Sequence, residues 1–301
     1  MVSISPWYAL IFGILIGAGG VSFTLTLDEG VPIGPRYTAR SYDTDMAIIT
    51  GINRANQLGM KNTVEGAIVP HHLIASEAIA RGIGTLTKKP IIVILSPDHF
   101  MRCPELFCTT YGSFETFFGE VFVDGEGVAA LLRKGGSLIA TSSLFEHEHG
   151  VEAVVPVVRH YLPNARIIPI VVSVTKQIEG DTRTRARDVI MDIIEETNAT
   201  FVVSSDFSHY LQLHEANDRD KDTLSAICTL NSEELISRDN PTESDCPLCL
   251  FFMNEYAKAH SLFPEIIWHS NSAVLLGDET VEETTSHYTV VYAPEESICA
   301  R

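Results

Sequence analysis

Three short apolar runs each end on residues able to bind a metal or move a proton. VEGAIV leads into Pro70-His71-His72, IIVIL into Ser96-Pro97-Asp98-His99, and TFVVSS into Asp206 and His209. Two further groups carry similar chemistry: Glu146-His147-Glu148-His149 with Glu152, and Cys246-Pro-Leu-Cys249. Imidazole, carboxylate and thiolate hold Fe, Zn, Cu or Ni, and two histidines plus one anionic ligand leave coordination positions open for substrate or oxygen.

Each group also has an ordinary structural use. His72 neighbours His71, so its side chain is expected to point elsewhere. Glu148 and Glu152 would complement a helix amino terminus, with His149 a stronger candidate for catalysis than His147. Asp206 could orient His209 or cap the following turn. Cys246 could be a small buried hydrophobe, since one isolated CxxC is a weak signal. His160, His260, His269 and His287 have no clustered partners and read as structural or surface residues.

The apolar runs imply the scaffold. Short, unbroken apolar strands alternate with helical patterns over about 74–86, 126–133, 150–161, 182–197, 215–229 and 248–259. That alternation predicts a single three-layer α/β/α domain with a central, mostly parallel or mixed sheet. Neighbouring parallel strands open their carboxyl ends into one crevice, where distant residues meet. EIIWHSNSAVLL and SHYTVVYAP are expected as the closing strands.

Upstream, residues 1–27 carry no charged side chain, and 7–21 are almost continuously apolar. A full span needs about 20 such residues, so residues 1–28 read as an apolar helix serving as an uncleaved anchor or export signal. Residues 29–42 would be a linker and 43–301 the domain. The expected location is membrane-anchored or exported through this segment, and otherwise cytoplasmic. Outside the cytoplasm, Cys103 could pair with Cys108. With 39 acidic against 21 basic residues, the formal charge of −18 disfavours nucleic-acid partners. The partner expected is a small molecule or peptide, with membrane contact through the amino-terminal segment.

The order of the segments resembles the Memo family, also called AmmeMemoRadiSam system protein B, a relative in fold of the class III extradiol ring-cleaving dioxygenases. The matching segments are AIVPHH (67–72), SPDH (96–99), EHGVEAVVP (148–156), IIPIVVS (167–173), SSDFSHY (204–210), Cys246 and VVYAP (290–294). The resemblance implies a metal triad of His71, His99 and Cys246, with His149, Asp206 and His209 lining the same pocket as catalytic residues. Its cofactor would be Fe(II) or Cu, with Zn as the alternative, and its activity that of a metal-dependent oxidoreductase. His149 or His209 would move protons, with Asp206 orienting His209. His72, Asp98 and Pro247 depart from the family pattern beside these positions. A non-catalytic binding module using the same crevice, and hydrolysis by Zn-bound water, stand as the competing readings; no HExxH motif is present.

Overall fold

The computed structural model describes residues 34–57, 64–237, 243–295 and 299, together with residues 16, 17, 20 and 21 of a separate amino-terminal unit. In that unit β1 (Ile16–Gly17) pairs antiparallel with β2 (Gly20–Val21). These four residues are therefore extended where an apolar helix was expected; the rest of the proposed anchor lies outside the described residues. No helix among the described residues is long and apolar enough to cross a membrane.

The body runs in order through β3 (Arg36–Thr38), α1 (Tyr42–Asn56), β4 (Gly66–Val69), α2 (Ser76–Gly84), β5 (Ile91–Pro97), β6 (Phe107–Thr109), β7 (Ser113–Thr116) and β8 (Gly119–Val121). Then come α3 (Gly125–Gly135), β9 (Ile139–Thr141), α4 (His149–Glu152), α5 (Val155–Tyr161), β10 (Arg166–Val172), α6 (Gly180–Thr197) and β11 (Thr200–Ser204). β12 (His209–Leu211), α7 (Leu213–Cys228), α8 (Ser232–Ser237), α9 (Pro247–His260), β13 (Phe263–Asn271), α10 (Ser272–Leu276) and β14 (Thr284–Ala293) complete it.

The main sheet has nine strands, ordered β12-β14-β4-β11-β5-β10-β6-β9, with β13 also on β14. Its centre, β4-β11-β5-β10, is parallel, while β14 and β6 flank it antiparallel, so the sheet is mixed. β4 and β11 are buried along their whole length, which is why they read as unbroken apolar runs rather than alternating ones. Helices cover both faces. A Cβ on Gly82 of α2 would meet Val69, whereas one on Gly66 would meet Met253 of α9. Alternate residues of β4 thus face different helices.

Several expectations need correction. Arg36–Thr38, assigned to the linker, pairs parallel with β7, and α1 begins at Tyr42, capped by the Ser41 hydroxyl accepting from the Thr44 amide. The helix expected over 150–161 is broken between Glu152 and Val155, where Pro156 has no amide hydrogen to continue the ladder. The strand expected through Leu276 stops at Asn271, whose side chain accepts from the Ala273 amide and starts α10.

Candidate metal centre

Fold geometry delivers His71, His99 and Asp206 to one place, because β4, β5 and β11 are adjacent and parallel and each ends just before its residue. His71 and Asp206 are buried, and His99 is partly exposed. The two imidazoles meet Nε2 to Nε2 at 3.1 Å.

What holds them there also fixes their chemistry. The Ser204 hydroxyl donates to the Gly150 carbonyl at 2.6 Å, so its oxygen accepts from His71 Nδ1 at 3.2 Å. Glu148, fully buried, accepts from His99 Nδ1 at 2.5 Å and from the His99 amide at 3.1 Å. With each Nδ1 committed as a donor, each Nε2 faces the crevice, where a cation displacing its proton would find a lone pair. A carboxylate or hydroxyl behind an imidazole orients metal-binding histidines in this way.

α4 completes this wall. Glu148 caps its start, accepting from the Gly150 amide at 3.1 Å, and His149 brings its ring within 3.8 Å of the His99 ring, centroid to centroid. Only glycine permits the approach, since a Cβ on Gly150 would lie 2.0 Å from Ser96 Oγ. His71, His99 and His149 can each offer a nitrogen, all within 4.8 Å of one another.

The third ligand expected, Cys246, is buried but offers no thiolate here. Its sulfur is bonded to Cys249. The anionic position is filled by its neighbour: Asp245 Oδ2 lies 3.1 Å from His71 Nε2 and 3.8 Å from His99 Nε2. Ser205 donates to Asp245 Oδ1 at 2.6 Å, and the Asp206 amide to Oδ2 at 3.2 Å. Sequence reasoning missed Asp245 because a loop carries it in, with no periodicity to mark it. Disulfides also join Cys103 to Cys108, as anticipated, and Cys228 to Cys299.

Asp206 does not orient His209. Its Oδ1 accepts instead from Nδ1 of His287 at 2.6 Å, and both side chains are fully buried. Sequence spacing gives His287 no partner, but it comes from β14, antiparallel to β4, whose start therefore lies at the carboxyl end of the parallel strands. His209 is buried, with its ring 6.2 Å from that of His72. Asp98 is not a crevice charge. It accepts from the amides of Arg102 and Cys103 at 3.1 and 2.7 Å and so closes the turn after β5. Pro247 stands in the first turn of α9, where its missing amide hydrogen costs nothing. His147, His160, His214, His260 and His269 are exposed.

The electrostatics are those of a cation site. Burial would lower His71, but the charges of Asp206 and Asp245 outweigh it and raise its pKa. His99 is likewise depressed by burial and then lifted to about 10 by Asp245 and Glu148. His149 goes the other way, to about 3, through burial and the charges of His99 and His71. Burial opposes ionisation of Asp206 and Asp245, yet their histidine partners hold both well below the usual carboxylate range. These shifts all favour positive charge between the imidazoles and the carboxylates.

A family model described as Memo-like protein matches residues 33–274. The chain belongs to the Memo family. A MEMO1 family protein from Caldivirga maquilingensis is 28% identical over 194 residues, 59% of this chain and 68% of the relative. Another from Thermoplasma acidophilum is 26% identical over 227 residues, 73% of this chain and 82% of that protein. Among solved structures, an uncharacterized protein from Escherichia coli K12 aligns with a TM-score of 0.48 at 12% identity, covering 76% of this chain and 99% of that one. The family membership rests on the sequence matches, and the buried histidine and aspartate groups of this Memo-family chain can hold a metal ion.

Proposed function

We propose that the crevice is the active site of a metal-dependent oxidoreductase of dioxygenase-like type acting on a small substrate. The observation that carries this reading is the 3.1 Å approach of the His71 and His99 Nε2 atoms, each ring backed by its own acceptor. Two imidazoles and a carboxylate suit a first-row divalent ion, Fe(II) foremost, with Zn also accommodated. His71, His99 and Asp245 would hold it. When bound, such an ion supplies a Lewis acid with positions free for substrate and oxygen.

The remaining groups have work of their own. His149, neutral at ordinary pH, can accept a hydrogen bond from a substrate hydroxyl at the crevice wall and so orient it. A cavity of about 640 Å³, lined in part by Met101, Val172, Ser173, Ile178 and Leu248, includes Asp245 in its wall and gives a small, partly apolar substrate room beside that carboxylate.

The test is anaerobic reconstitution of the full chain with Fe(II), followed by metal analysis and oxygen uptake over a panel of catechols and other small reductants. His71→Ala, His99→Ala and Asp245→Asn are expected to lower Fe(II) affinity at least tenfold, while His149→Ala keeps metal and loses turnover. Stoichiometric iron undiminished in all three ligand variants would sink the ligand set. Bound iron with no oxygen uptake on any substrate would favour a binding role for the crevice.

A further inference from the structure

Three atoms crowd Nε2 of His71: His99 Nε2 at 3.1 Å, Asp245 Oδ2 at 3.1 Å and Asp206 Oδ2 at 3.3 Å. Asp206 Oδ2 is buried and makes no hydrogen bond, and His72 Nδ1, at 3.7 Å, is too distant to serve it. The other oxygen of the same carboxylate is fully used, since Oδ1 accepts from His287 Nδ1 at 2.6 Å.

A proton does not account for the crowding. With Nδ1 of His71 committed to Ser204, its Nε2 has at most one hydrogen to give, against three neighbours able to take it. A cation on the Nε2 lone pair accounts for all three. Donor atoms about 2.1 Å from a first-row ion stand roughly 3.0–3.4 Å apart when their bonds make right or tetrahedral angles, and the three separations fall in that interval. Rotation of an aspartate carboxylate about its last bond is soft, so something must decide that Oδ2 faces His71. The hydrogen bond from the fully buried His287 does so by fixing Oδ1 on the opposite side.

We propose that Asp206 Oδ2 is a fourth ligand to the cation of the crevice, and that His287 is the positioning residue that turns it there. The inference rests on the metal-centre reading of that crevice and sharpens its substrate. With His71, His99, Asp245 and Asp206 on a six-coordinate ion, two positions are left instead of three, so the site takes substrate and oxygen through two donor atoms in all.

Co(II) titration of the full chain, disulfides intact, tests this, because the visible spectrum of bound Co(II) follows its donor set and needs no turnover. Asp206→Asn keeps an oxygen to accept from His287 and turns an amide NH2 toward His71; it should weaken Co(II) at least tenfold and change the spectrum. His287→Phe fills the volume of the ring, loses nothing at the unpartnered Nε2 and removes only the donor to Oδ1. It should change the spectrum and weaken binding, and His287→Asn, whose amide can donate from the place of Nδ1, should restore both. Combining Asp206→Asn with His287→Phe should cost no more affinity than Asp206→Asn alone, since His287 acts through Asp206. An unaltered spectrum in Asp206→Asn overturns the fourth ligand even if affinity falls, because loss of charge then suffices. Additive losses in the double variant overturn the positioning role. His71→Ala separates this proposal from its parent: full Co(II) binding there fails the metal centre itself, whereas binding lost there and unaltered in Asp206→Asn and His287→Phe fails only the fourth ligand.

Discussion

Glu148 does three things at once: it caps α4, accepts the His99 amide and orients the His99 ring. Its loss should therefore reach the metal before it reaches the fold. Glu148→Gln is expected to weaken divalent-ion binding by about 10–100-fold, the range typical of partners behind a ligating histidine, and to bring the His99 pKa down from about 10, read by histidine-resolved NMR titration. Because metal must displace that proton, affinity should climb with pH up to about 10 and binding should release protons, measurable by calorimetry in buffers of different ionisation enthalpy. Glu152, by contrast, is a carboxyl raised to about 7 by burial and by the charge of Glu148. A raised carboxyl contributes fully below its unfolded pKa of about 4.5 and loses that contribution as pH rises through its folded value. Glu152→Gln should thus match the unmodified chain near pH 4 and exceed it at pH 8, by about 1–2 kcal/mol after allowance for partial exposure, in urea unfolding.

At the scale of elements, α4 presses its amino terminus onto β5 through Gly150. Gly150→Ala would force helix and strand apart, costing about 1–3 kcal/mol and weakening metal binding together. Pairing it with Ser96→Ala removes the oxygen first encountered and should recover part of both losses, as a double-mutant cycle would show. The same elements explain what the sequence disclosed. His71, His99 and Asp206 were legible because buried parallel strands announce themselves as apolar runs and end where a crevice opens. His287 follows no such run end; it stands near the beginning of a strand running the other way, and only the pairing of β14 with β4 brings it to Asp206. Asp245 was hidden for a different reason, since its loop has no pattern and the adjacent Cys246 is the more usual metal ligand. α1 left a fainter trace: Ile48, Ile52 and Ala55 are buried on one helical face, yet Thr44, Asp45 and Thr50 dilute the apolar signal.

For the molecule as a whole, all six cysteines are joined in disulfides, and the bridges differ in kind. Cys228–Cys299 closes a separation of 71 residues, which in the chain-entropy view stabilises by about 4 kcal/mol. Cys299→Ser should lower the unfolding free energy by up to that amount and leave metal binding intact. Cys246–Cys249 spans only three residues and constrains the unfolded chain far less, but it adjoins Asp245. Cys249→Ser should barely move the denaturation midpoint while freeing a thiol beside the ligands, detectable as sulfur-to-metal charge transfer in the Co(II) spectrum.

The pairing of β14 with β4 joins Val290 to Ile68, some 220 residues apart, and that span has a meaning in time. As the chain leaves the ribosome at about 5–20 residues per second, β4 and its two histidines wait roughly 10–40 s for β14. Through that interval one flank of β4 is an unpaired edge, open to mispairing, and Asp206 has no His287. The strand that seals the edge also brings His287 to Asp206, so the buried hydrogen bond between them reports that the sheet has closed.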